Sequence, residues 1–176
     1  MGKIILFIAS SIDGYIADSE DGLEWLIHTK GEGDNGFDAM YNRISSIVMG
    51  RKTYDIVCDL VGHYPHADKQ SYIFSHSQSS LNPAIQFVSG DVATWLNGSG
   101  VLEKGDVWLV GGATLVKQFL ESDLIDELIL TIAPLHLGSG VPLHLPFQNA
   151  LLWELVRVDR SGQFAQLEYH RLRNTE

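Results

Sequence analysis

Val107-Trp108-Leu109-Val110-Gly111-Gly112-Ala113-Thr114-Leu115-Val116-Lys117-Gln118-Phe119-Leu120 joins four apolar residues, two glycines and an amphipathic run. The apolar residues predict a buried strand over 107–110. Leu115, Val116, Phe119 and Leu120 share one helical stripe and predict a helix over 113–121. The glycines make the turn between them. A turn without side chains lets a ligand reach the N–H groups at the positive end of the following helix, where phosphate binds well. The same letters also suit a turn that needs glycine only for positive φ or close packing.

Outward from this unit, strand patterns recur at 3–9, 46–49, 72–75, 85–88, 126–132, 152–158 and 163–171, with helical patterns at 36–44, 52–60 and 91–97. Runs such as Ile47-Val48-Met49 suit strands covered on both faces. The alternation predicts a three-layer α/β/α fold with a central mixed, mostly parallel sheet. Asp159-Arg160-Ser161-Gly162 is a turn cluster that makes the last two strands a C-terminal antiparallel hairpin. No linker or repeat interrupts the chain, so residues 1–176 read as one domain.

The composition, 45% hydrophobic and 19% charged over 176 residues, is that of a globular protein. A formal charge of −10 argues against a nucleic-acid surface, yet allows one small anion held by a few local donors. Cys58 is the sole cysteine, which excludes an internal disulfide and suits a reducing compartment. The run Ile4 to Ala9 is short and is cut off by Ser10-Ser11-Ile12-Asp13-Gly14, so it reads as a first strand and not as a leader. No apolar stretch approaches the ~18 residues that span a bilayer. The expectation is a cytoplasmic protein with no membrane contact.

Two further segments carry polar chemistry at strand ends. In Val48-Met49-Gly50-Arg51-Lys52-Thr53-Tyr54, a strand runs through glycine into two cations and a threonine at a helix start. Cations are disfavoured there by the helix dipole, so their presence points to a bound anion. Tyr72-Ile73-Phe74-Ser75-His76-Ser77 opens a strand into three small or polar donors, which is also ordinary turn chemistry. The glycine-bearing, acidic loop from Asp18 to Asn35 reads as a functional loop or lid. Trp25 inside it either faces a ligand or pins the loop to the core.

These segments, in this order, resemble the dihydrofolate reductase superfamily, and more closely its branch containing the reductase domain of the bifunctional riboflavin-biosynthesis deaminase/reductase. Ala9-Ser10-Ser11-Ile12-Asp13-Gly14-Tyr15-Ile16-Ala17 is similar to the family's first strand and nicotinamide loop, and Asp21-Gly22-Leu23-Glu24-Trp25-Leu26 to the far end of that loop. Met49 to Tyr54 resembles the phosphate-binding turn and Val110-Gly111-Gly112-Ala113 the pyrophosphate turn. Leu137-Gly138-Ser139-Gly140-Val141-Pro142-Leu143 is the riboflavin-type feature.

The resemblance implies an NADPH-dependent reductase. Ala9 and Ile16 would line the nicotinamide pocket, while Gly50, Arg51, Lys52 and Thr53 would hold the 2′-phosphate and pyrophosphate. Ser75, His76 and Ser77 would cup the ribose, and Gly111, Gly112, Ala113 and Thr114 would present backbone to the pyrophosphate across a cis Gly111–Gly112 peptide. Thr114 stands where many folate reductases carry a second arginine, so NADP preference falls on Arg51 and Lys52. On the substrate side stand Ser11 and Trp25. Asp34 or Asp38 is the candidate proton donor, or else an N-terminal helix charge. Asp13 either orients substrate or caps its own turn.

No His-x-Glu or Cys-x-x-Cys zinc pattern of the deaminase half occurs, and His63 and Pro65-His66 make no metal site. The expected activity resembles 5-amino-6-(5-phosphoribosylamino)uracil reductase. The alternatives are dihydrofolate reductase and a non-catalytic NADP-binding regulatory protein. The riboflavin-type relatives imply a homodimer.

Overall fold

Strand–turn–helix units of the kind read from Val107–Leu120 build most of the molecule. The computed structural model describes residues 1–77 and 82–173. In chain order its strands are β1 Ile4–Ser11, β2 Tyr15–Ala17, β3 Ile44–Gly50, β4 Gln70–Phe74, β5 Ile85–Val88, β6 Asp106–Gly111, β7 Glu127–Ala133, β8 Val141–Pro142, β9 Leu152–Ser161 and β10 Phe164–Leu172. Its helices are α1 Glu24–Ile27, α2 Phe37–Arg43, α3 Arg51–Val61, α4 Val92–Ser99, α5 Val101–Lys104 and α6 Ala113–Glu121.

Eight strands form one sheet in the order β5-β4-β3-β6-β1-β7-β10-β9. The first six pair in parallel, and β10 pairs antiparallel with both β7 and β9. This is the expected mixed, mostly parallel sheet with a C-terminal hairpin. The turn of that hairpin is tighter than the expected Asp159–Gly162 cluster, lying at Gly162-Gln163, because Asp159, Arg160 and Ser161 still pair with Gln166, Ala165 and Phe164.

Side-chain alternation along the strands sends residues to two cores, as period 2 demands. Ile4, Leu6, Val48, Val107 and Leu109 pack with Leu115, Val116, Phe119 and Leu120 of α6 on one face. Ile5, Ile47, Met49, Ile73 and Trp108 pack with Met40 of α2, and with Tyr54 and Cys58 of α3, on the other. Covering both faces explains the unbroken apolar runs. Phe119 and Val116 are fully buried, each gaining roughly 1.5–3 kcal/mol relative to exposure.

Helices α3 and α6 therefore leave neighbouring strands β3 and β6 toward opposite faces. That makes the line between β3 and β6 a switch point, where open α/β sheets leave a crevice at the strand C-termini.

Four elements lie outside the sequence reading, one of them the short helix α5 over Val101–Lys104. β2 and β8 form a separate two-stranded antiparallel sheet. Gly140, at φ +153°, packs so closely on Ala17 that a Cβ there would lie 2.1 Å from the Ala17 carbonyl oxygen. The last is α1, a single helical turn within the loop expected over Asp18–Asn35.

Candidate active site

The crevice between β3 and β6 is built by two glycine turns lying side by side. A Cβ on Gly50 would sit 3.8 Å from both the Gly111 carbonyl oxygen and the Gly112 nitrogen. Gly111 has φ +126°, which only glycine adopts readily, and the Gly111–Gly112 peptide is cis as expected. Behind each turn a helix begins, α3 at Arg51 and α6 at Ala113, and neither has a side-chain cap. Their first-turn N–H groups are left for a ligand.

A cleft of about 680 Å³ opens over this crevice. Of the residues assigned to a cofactor, Ala9, Ile16, Gly50, Arg51, Lys52, Thr53, Ser75, His76, Gly112, Ala113 and Thr114 line it. Gly111 and Ser77 do not. Gly111 supplies the turn, and the Ser77 N–H donates to the Ser75 hydroxyl at 3.1 Å. Thr53 Oγ1 lies against Gly112, 3.3 Å from where a Cβ would stand.

Both cations have protein partners. Arg51 Nε donates to the two carboxylate oxygens of Asp55 at 2.9 Å, and its guanidinium lies 5.5 Å from the Phe87 ring centre. Lys52 Nζ is 2.6 Å from Asp21, a lining residue held at φ +66°. Sequence reasoning missed Asp21 and Phe87 because they lie 31 and 36 residues from their partners. Only the Asp21-Gly22 pair signalled a turn.

A second compartment of about 370 Å³ shares Phe7, Ala9 and Leu26 with the cleft. Phe37, Phe164, Thr29, Thr131, Asp34 and Asn35 also line it. The Thr131 hydroxyl accepts from Gln166 Nε2 at 3.0 Å. Asn35 Oδ1 is buried with no hydrogen-bond partner, an acceptor left open beside this space.

The substrate-side aspartates are not buried acids. Asp34 is exposed, and its carboxylate accepts the N–H of Asp38 at 2.7 Å and of Gly36 at 3.0 Å. These two bonds, the first above all, hold its pKa below the usual carboxylate value. Asp38 is exposed and lines neither space.

Asp13 accepts from the Ser11 hydroxyl at 2.6 Å and from the N–H groups of Gly138 and Leu137 at 2.8 and 3.1 Å. Led by the Ser11 bond, these hold its pKa down at about 2. It bonds the Ser11 hydroxyl within its own Ser11–Gly14 turn and also ties the Leu137–Gly138 turn to the end of β1. Ser11 is spent on Asp13 and on the Tyr15 N–H.

Trp25 lines neither space. Its indole Nε1 donates to the Gly22 carbonyl at 3.2 Å, while Leu23 and Leu26 form the wall. His66 packs against Trp108, Tyr41 and Tyr64, and burial lowers its pKa. Among the described residues the one cluster with metal-ligand geometry is Glu127, Glu168 and His170, at the opposite end of the sheet. There Glu127 is already paired with Lys3 and Arg43.

The chain is 37% identical to the uncharacterized protein YwjB of Bacillus subtilis (strain 168) over 170 residues, covering 96% of this chain and 98% of the relative. It superposes with a TM-score of 0.87 on a Shewanella sp. PV-4 protein provisionally assigned to riboflavin biosynthesis, at 30% identity, covering 97% of this chain and 99% of the other. An Enterococcus faecalis dihydrofolate reductase, complexed with NADP(H) and RAB-propyl, superposes with a TM-score of 0.64 at 14% identity, covering 97% of this chain and 96% of the other. That likeness shows the dihydrofolate-reductase-like fold alone. The model of the RibD C-terminal domain matches residues 2–167, and the chain belongs to that family of riboflavin-pathway reductase domains.

Proposed function

We propose that the chain is an NADPH-dependent reductase acting on a small heterocyclic or carbonyl compound. The observation that carries this reading is the pair of uncapped helices, α3 and α6, opening side by side into one cleft with Arg51, Lys52 and Thr53 at its wall. Two helix N-termini and two cations suit a dinucleotide pyrophosphate and an extra phosphate. When bound, the cofactor supplies a hydride to an electrophilic carbon. The chain's own residues bind and orient the reactants, and the apolar walls Phe7, Ile8 and Leu26 exclude water.

Asp13 is held as a carboxylate by the Ser11 hydroxyl first and then two N–H groups, and Asp34 by two N–H groups, so neither is poised as a buried proton donor near neutral pH. Solvent supplies the proton in this reading. The same observation favours a second reading, a non-catalytic NADP-binding protein. Titrating NADPH and NADH by fluorescence tests the site, with NADPH expected to bind more tightly. NADPH oxidation with a panel of pterins and carbonyls separates the two readings, since a pure binder turns over none.

We propose also a cytoplasmic homodimer. Leu155, Val156 and Val158 on edge strand β9 are 53%, 48% and 60% exposed, apolar surface that a second copy would cover. Light scattering that finds only a 19.5 kDa species at working concentration rejects the dimer.

A further inference from the structure

The second compartment differs from the cleft in charge. Asp34 is the one ionisable residue among the described residues that line it. Its other walls are phenylalanines, threonines, glycines and one amide. A largely uncharged lining with three phenylalanines suits an aromatic ring that carries a few polar atoms.

An anion finds no holder there. The start of α2 would ordinarily offer free N–H groups, but Asp34 takes those of Gly36 and Asp38 and stays ionised by doing so. Lys30 sits between two lining residues yet is exposed and outside the lining, and Arg160 Nε is turned onto the Gly162 carbonyl. A phosphate in this compartment would therefore meet one carboxylate and no cation. The cleft next door, with Arg51 and Lys52, has the opposite composition. Thr131 is a buried polar group whose oxygen already accepts from Gln166, so its hydroxyl proton is left to donate to a carbonyl or ring nitrogen.

We propose that this compartment takes a flat, uncharged, non-phosphorylated heterocycle bearing a carbonyl or imine, and not a phosphoribosylated pyrimidine. The proposal rests on the reductase reading for its place beside the nicotinamide, through the shared Phe7, Ala9 and Leu26, and names the substrate class of that site.

The test is calorimetry on the full chain, free and loaded with NADP⁺. The probes are pteridine-2,4-dione, and 5-amino-6-ribosylaminouracil with and without its 5′-phosphate. The unphosphorylated riboside is expected to bind at least tenfold more tightly than its phosphate, with pteridine-2,4-dione binding as well. Asp34→Asn keeps a helix-capping oxygen and removes the charge. It is expected to raise the affinity for the phosphorylated riboside relative to the unphosphorylated one severalfold. Equal or tighter binding of the phosphorylated riboside overturns the proposal, as does failure of every neutral probe to bind. NADPH affinity is measured separately. Its loss would overturn the reductase reading, while the riboside contrast on the cofactor-free chain still decides this one.

Discussion

At the N-terminal end of the parallel strands, Glu127 is 2% exposed and accepts from Lys3 Nζ at 2.6 Å and from Arg43 Nη2 at 3.0 Å. At the C-terminal end, the side chains of Arg51 and Lys52 stand 41% and 69% exposed beside two uncapped helices. Arg43 also donates to Asp106, so the lower cluster joins the starts of β1, β3, β6 and β7. Its charges are consumed within the protein. The upper cations each hold one carboxylate at the surface, a pairing worth little in water that the proposed reading exchanges for a phosphate. Lys3 and Arg43 are as exposed as Arg51, so the difference lies in the carboxylates: Glu127 is buried, whereas Asp55 and Asp21 stand 48% and 33% exposed, and in the proposed reading only the upper cations exchange partners.

The largest test of this contrast is Arg43→Ala. It leaves the buried Glu127 carboxylate with Lys3 and the more distant His170 at 3.8 Å, which should cost about 2–4 kcal/mol by urea denaturation, somewhat below the penalty for a fully unpaired buried charge. NADPH affinity should not change. A loss below the level of an exposed pair would erase the distinction between the two ends.

Arg51→Ala should do the reverse. NADPH binding should weaken by about 1.5–3 kcal/mol, the range for a charge-assisted hydrogen bond, with NADH affinity and folding stability little altered. Equal losses for both cofactors would mean that Arg51 only braces its loop.

Glu127→Gln keeps an acceptor and leaves half-exposed cations that water can solvate, so about 1–2 kcal/mol is expected at pH 7. Burial pushes the Glu127 pKa up, but the Lys3 hydrogen bond and the Arg43 charge together hold it below its ordinary value. A depressed folded pKa stabilises above the unfolded value, near 4.5, and that stability is lost as pH falls through the lower folded value. The wild-type advantage over Glu127→Gln in urea midpoint should therefore persist down to about pH 4.5 and shrink below it. A constant gap from pH 7 to 3 would rule out this linkage.

The smallest effects concern Lys52. Lys52→Ala should weaken NADPH binding less than Arg51→Ala does, because an ammonium lacks the bidentate fork. Asp21→Asn removes the carboxylate that holds Lys52 and tolerates the positive φ, so NADPH affinity should rise two- to fivefold in low salt. No change in that titration would show that Asp21 does not compete with the ligand.

Local patterns in the sequence determined much of this molecule. Unbroken apolar runs marked strands buried on both faces, the 115–116–119–120 stripe marked α6, and glycine followed by Arg51, Lys52 and Thr53 marked the start of α3. Each is a property of neighbours in the chain, set by period and by backbone conformation. Tertiary structure decided what lies across from what. The order β3-β6-β1 brings residues 50–53 beside 111–114, sixty positions away, and turns two weak glycine signals into one cleft. It also gave Asp13 to the Leu137–Gly138 turn and Asp21 to Lys52. A carboxylate's role depends on which donors reach it and how much water remains, and both are set by contacts between segments distant in sequence.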